Sequence, residues 1–168
     1  MKKLLIVILG MCMLFSLTGC FSSTDDGNKA KDTSGDSKTS FKIGETAVFD
    51  GVDYTVTKVK YSNGNDWDQP TSGKKYVIVT IKIDNESDSK ISYNSFDWKM
   101  LNYQGQEDDE AFTIINTDTE LSSGDLAAGG TKTGTMVFEE PKEGTTLKLL
   151  YYSDSLFDEE STFEIVVE

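Results

Sequence analysis

A chain of 168 residues with no His and no Arg has few ways to do chemistry, and the residues that remain able to are quickly found. Cys20 offers a thiol, and Asp66-Trp67-Asp68 sets an aromatic face between two carboxylates. Asp84, Glu86 and Asp88 alternate in a turn, and Glu107-Asp108-Asp109-Glu110 and Asp158-Glu159-Glu160 are denser acidic runs. Trp67 with its flanking acceptors has the composition to stack on a sugar ring or anchor a partner, since Trp is enriched at binding hot spots. Alternating carboxylates suit calcium, which takes oxygen ligands. An EF-hand is excluded, because it needs Gly where Ser89 stands and a terminal Glu where Ser95 stands. Acidic runs are most often solvated turns. Paired carboxylates can also cleave a glycosidic bond, but only at a defined separation, which no spacing here specifies.

The absences narrow the function further. Without His there is no imidazole acid–base pair, no Ser–His or Cys–His nucleophile and no ordinary zinc site. Without Arg there is no bidentate fork for phosphate. The formal net charge of −13 repels nucleic acid and anionic lipid surfaces, so nucleic-acid binding is excluded. A non-enzymatic protein without a cofactor is expected. Asp66, Trp67 and Asp68 are the candidate ligand-binding residues, and Asp84, Glu86 and Asp88 the candidate metal ligands.

Cys20 is the most specific of these signals. It closes Leu17-Thr18-Gly19-Cys20, at the end of an apolar run from Leu4 that follows Lys2 and Lys3. A basic start, a short apolar stretch and small residues before a cut make a secretory signal peptide. The run is too short for a membrane span, which needs about 20 apolar residues. The Leu-Thr-Gly-Cys ending resembles the lipobox of bacterial lipoproteins, in which the Cys is acylated and the chain is cut just before it. Residues 1–19 are therefore expected to be a signal peptide and Cys20 the lipidated first residue of the mature chain. Two acyl chains anchor stably where one only tethers, at about 0.8 kcal/mol per buried methylene. The expected address is the outer face of the cell membrane, with the membrane as a partner through the lipid. Cys12 leaves with the signal, so no disulfide is expected beyond Cys20.

The elements that must position any site follow. Residues 20–41 are polar, rich in Ser, Asp, Lys and Gly, and cannot bury enough surface to order themselves, so a disordered linker is expected. Residues 42–168 form the expected folded domain, a monomer large enough to own a core. Runs of Val, Ile, Thr, Tyr and Phe alternate there with Gly, Asn, Asp and Ser clusters. Asp50-Gly51 predicts a hairpin, with a bulge near Thr57-Lys58 reconciling the two halves of the second strand. Val77, Val79, Ile81 and Ile83 line one face of the expected central strand. Phe96, Trp98 and Met100 are expected on one face, Phe112 to Ile115 as a short strand, and Leu121 to Gly130 as a loop. Eight or nine strands at this spacing predict an all-β antiparallel sandwich.

Ile43-Gly44-Glu45, Tyr54-Thr55-Val56, Lys75-Tyr76-Val77-Ile78-Val79, the Asn85 turn and Ser95-Phe96 before Gly105 fall in one order. Leu126-Ala127-Ala128-Gly129-Gly130, Gly134 and Val137-Phe138-Glu139-Glu140-Pro141 continue it. The pattern is similar to a family of immunoglobulin-like domains of unknown function found on lipoproteins of Gram-positive bacteria. The resemblance covers roughly residues 42–152. It implies a β-sandwich related in shape to a mycobacterial secreted immunoprotective antigen, and it transfers no catalytic residue. The Cys…Trp…Cys pattern of true immunoglobulin domains is absent, so the likeness is to the sandwich alone.

Overall fold

The Asp50-Gly51 turn is built as its residue types require. Both have positive φ, 49° and 76°, and they join β2 (Thr46–Phe49) to β3 (Val52–Ser62), with Phe49 paired to Val52. The structure is a computed structural model that describes residues 38–154 and 156–168. These belong to one unit, Asp36–Glu168. The expected signal peptide, Cys20 and most of the expected linker lie outside the described residues.

Before β2 comes β1 (Ser40–Lys42), and after β3 the strands are β4 (Lys74–Asn85), β5 (Ile91–Asn94), β6 (Trp98–Leu101) and β7 (Glu107–Asp108). β8 (Ser123–Leu126), β9 (Thr131–Pro141), β10 (Lys148–Tyr151) and β11 (Phe163–Val166) complete the set. One sheet runs β2-β3-β4-β9, the other β1-β11-β10-β6-β7, and β5 pairs with β8 alone. All pairings are antiparallel except β1 with β11, which is parallel. The β3–β4 register shifts between Val56 and Lys58, the bulge that the hydrophobic pattern demands.

The core lies between the two larger sheets. Val77, Val79, Ile81 and Ile83 are fully buried on one side, with Trp98, Met100, Leu149 and Ile165 in the same cluster. Each such side chain contributes about 1.5–3 kcal/mol on removal from water. Tyr54, Trp98, Tyr151 and Phe163 form an aromatic knot with ring centroids 4.8 to 5.9 Å apart. Inside it the Tyr54 and Tyr151 hydroxyls are 3.1 Å apart and satisfy each other, as buried phenols must. Burial raises the Tyr54 hydroxyl far above its ordinary value, and the neighbouring Tyr151 adds to the rise.

Five expectations are corrected. The linker boundary at residue 41 falls inside β1, because Phe41 is 9% exposed and stacks edge-on against Phe163. Phe96 does not share the face of Trp98 and Met100; Asn94 caps a 3₁₀ turn over Ser95–Asp97 that throws Phe96 outward. Residues 112–115 are not a strand. Residues 121–130 are not all loop, since β8 lies within them. The acidic run is not simply solvated: Glu107 and Asp108 form β7, Tyr152 donates to Glu107 Oε2 at 2.7 Å, and Asn102 Nδ2 donates to Asp108 Oδ2 at 3.1 Å.

Candidate functional site

Asp68 is the residue that assembles the site. Its Oδ1 accepts a hydrogen bond from the Tyr76 hydroxyl at 2.7 Å, and its Oδ2 accepts from the Ile114 N–H at 2.7 Å and from the Thr113 hydroxyl. Bonds from Thr113, Tyr76 and Ile114 hold its carboxyl below the usual carboxylate range. The loop is shaped to deliver it. Asn65 Oδ1 accepts from both Trp67 N–H and Asp68 N–H at 2.8 Å, and Asn65 N–H donates to Asp68 O at 2.8 Å. Gly64 has φ +83°, and a Cβ there would lie 2.1 Å from Asp68 O, so only Gly fits. Asp66 and Trp67 are thereby left on the surface, Trp67 at 89% exposure.

Residues 110–117 form the strap that Asp68 holds. Ala111 N–H donates to Val137 O at 2.7 Å, and Ala111 and Ile115 pack on Tyr76, Ile78 and Val137, the outward face of β4 and β9. Alternation then turns Phe112 and Ile114 to solvent, and Phe112 is as exposed as in an extended chain. Between the strap and Ser95-Phe96 lies a groove of about 390 Å³, mostly apolar, whose lining includes Phe96, Phe112, Ile114 and Val137. Glu110 and Glu120 are the charged residues of its lining. Burial raises the Glu110 carboxyl, polar contacts with Ser95 and the Val137 backbone pull it back in part, and the charge of Glu120 adds to the rise.

The second candidate group does not assemble in the same way. Partial burial works to raise the Asp84 carboxyl, but Lys82 at 2.9 Å and Thr131 at 2.8 Å outweigh it and hold the group low. Glu86 and Asp88 are exposed. Their turn is organised by buried Asn85, whose Nδ2 donates to Ser89 O, Leu126 O and Ala127 O at 2.8 to 3.1 Å. Its Oδ1 accepts from the Ser87 N–H and hydroxyl. An amide thus does what a bound cation would do in such a loop. Among the described residues no three Asp, Glu, His or Cys are grouped to hold a metal ion.

Of the residues the sequence singles out, Asp68 holds the strap while Asp66 and Trp67 lie on the surface. None of the three lines the groove, whose Phe96, Phe112 and Ile114 the sequence did not mark as a site. The sequence suggests a short strand over Phe112 to Ile115; the segment is unpaired, yet its side chains alternate between the protein and solvent. Which of its faces meets the protein depends on a bond to Asp68, 46 residues away. A direct test follows: Asp68→Ala is expected to free the strap, so that hydrogen exchange at the Ile114 amide accelerates about tenfold or more while the core strands stay protected. Unchanged exchange at Ile114 would show that Asp68 does not hold the strap.

The family model described as a domain of unknown function, DUF4352, matches residues 41–162. The chain is 24% identical over 196 aligned residues to the uncharacterized lipoprotein YjhA of Bacillus subtilis, covering 96% of this chain and 92% of that one. The crystal structure of the B. subtilis YjhA protein superposes with a TM-score of 0.57 at 23% identity, covering 76% of this chain and 99% of that one. The secreted Mycobacterium tuberculosis protein MPT63 superposes with a TM-score of 0.57 at 13% identity, covering 78% of this chain and 97% of that one. At these identities the likeness is one of fold, and it matches the β-sandwich read from the strand pattern.

Proposed function

The chain belongs to the DUF4352 family of domains of unknown function, and we propose that it is a non-enzymatic, lipid-anchored extracytoplasmic module that binds a partner at the cell surface. The observation that carries the anchor is the Leu17-Thr18-Gly19-Cys20 ending, in a chain whose B. subtilis relative is a lipoprotein. In this reading the sandwich stands off the membrane on the segment after Cys20 and presents the groove between the strap and Phe96 as its binding surface. Exposed apolar side chains gathered at one place mark such surfaces more often than scattered ones do. A glycan is the second reading, favoured by Trp67, whose ring is open to solvent beside the exposed Asp66.

Cys20→Ser is expected to abolish lipid attachment and leave an unprocessed precursor or a shed protein. Detergent phase partitioning with intact-mass analysis reads this directly. A mutant that still partitions with the detergent phase and keeps the wild-type mass removes the anchor from the proposal.

A further inference from the structure

The groove between the strap and Phe96 combines three properties. It is open, and Phe96, Phe112 and Ile114 at its rim are 69%, 107% and 60% exposed, an arrangement that water disfavours. Its lining carries Glu110 and Glu120 and no Lys; Glu120 also borders the adjoining cleft of Lys58, Lys60 and Lys132, so Glu110 is the acid that faces the groove alone. Glu110 is half-buried, and Glu120 lies near enough to repel it. Apolar contact at the rim with a half-buried acid inside, hydrogen-bonded but paired with no cation among the described residues, is the complement of an apolar side chain next to a cation.

From this geometry we infer that the groove docks a protein segment in which apolar side chains alternate with Lys or Arg, the cation closing on Glu110 and Glu120 while the apolar groups cover Phe112 and Ile114. This rests on the reading of the groove as the binding surface. Other occupants fit less well. A second copy of this chain has its other neighbouring pair of exposed apolar residues at Leu156 and Phe157, flanked by Asp154, Asp158, Glu159 and Glu160, which the groove's carboxylates would repel. An anionic lipid surface is repelled by the same two groups and by the net charge of −13. Binding would also bring a cation to a desolvated carboxylate, which favours its ionised form.

The test uses the mature lipidated chain in phosphatidylcholine nanodiscs, with empty nanodiscs subtracted. The probe is a fluorescein-labelled peptide, Lys-Phe-Lys-Leu repeated twice, followed by anisotropy. Two further peptides replace every Lys with Gln or with Glu. The cationic peptide is expected to bind, the Gln peptide about tenfold more weakly and the Glu peptide not measurably. Phe112→Ser and Glu110→Gln are each expected to weaken the cationic peptide about tenfold, with binding falling steeply as salt rises. Phe112 is fully exposed, so its substitution leaves the fold intact, and an unchanged melting temperature checks this. If the Gln or Glu peptide binds as well as the cationic one and loses affinity in Phe112→Ser, the groove binds but the cationic occupant is wrong. If no peptide shows a Phe112-dependent affinity, both the occupant and the groove as binding surface are overturned.

Discussion

Replacing Glu140 with Gln is expected to stabilise the protein by about 3 kcal/mol above pH 7 and to leave its stability unchanged near pH 4. Glu140 sits at the β4–β9 end of the core, fully buried, and neither carboxylate oxygen has a hydrogen-bond partner among the described residues. Burial, followed by the charge of Asp108, pushes its carboxyl up from 4.5 to about 7, and Asn102, Lys74 and Lys75 pull it back only in part. Lys75 stands directly across the ladder, yet its ammonium goes to Glu168 Oε2 at 3.0 Å and lies 4.2 Å from the Tyr61 ring centroid. The native state therefore holds a proton that the unfolded chain releases near pH 4.5. Stability from this group is complete below that value and is lost as pH rises through about 7. The gap of about 2.5 pH units between those two values, at 1.36 kcal/mol each, gives the magnitude. Thermal unfolding of wild type and Glu140→Gln from pH 4 to 9 measures it, with a difference on the order of 10 °C at the alkaline end. Glu110 adds a smaller slope of the same sign in both proteins. Parallel curves for the two proteins would show that Glu140 is not the buried acid responsible.

Val79→Asp is expected to abolish cooperative folding. Val79 has no solvent exposure, and β4 holds it between Val59 on β3 and Met136 on β9. The substitution forfeits about 1.5–3 kcal/mol of apolar burial. It also places a carboxylate where no cation or donor can reach it, several kcal/mol more, or forces it to bind a proton. Together these rival the whole stability of a domain, about 5–15 kcal/mol. Lys82→Asp is the control: three residues along the same strand on the opposite face, exposed, and ion-paired among the described residues with Asp84. Its effect is expected to stay within about 1 kcal/mol. Circular dichroism through a thermal ramp separates the two outcomes. A Val79→Asp protein that melts cooperatively near the wild-type temperature would take Val79 out of the core and overturn the register of β4.

Much of the fold was legible along the chain because strand order is written locally. A period of two marks the buried face of β4, Asp50-Gly51 accepts the positive φ of its turn, and the break in alternation after Val56 announces the bulge. These signals need only neighbouring residues. Burial on the second face of β4 was not legible. Tyr76 and Ile78 lie on the face opposite Val77 and Val79, and they are buried because Ala111 and Ile115 pack across them. Nor could the roles of the acids be sorted by composition. Asp68 is a tether, Asp84 an ion-pair member, Glu110 a groove wall and Glu140 a buried acid without a partner, although all four are carboxylates in an acid-rich chain. Which of these a carboxylate becomes depends on what distant strands bring within about 3 Å of its oxygens, and on whether water still reaches them. Periodicity encodes the direction in which a side chain points, while decisive partners such as Thr113 for Asp68 and Thr131 for Asp84 arrive from 45 and 47 residues away, once the sheets have closed.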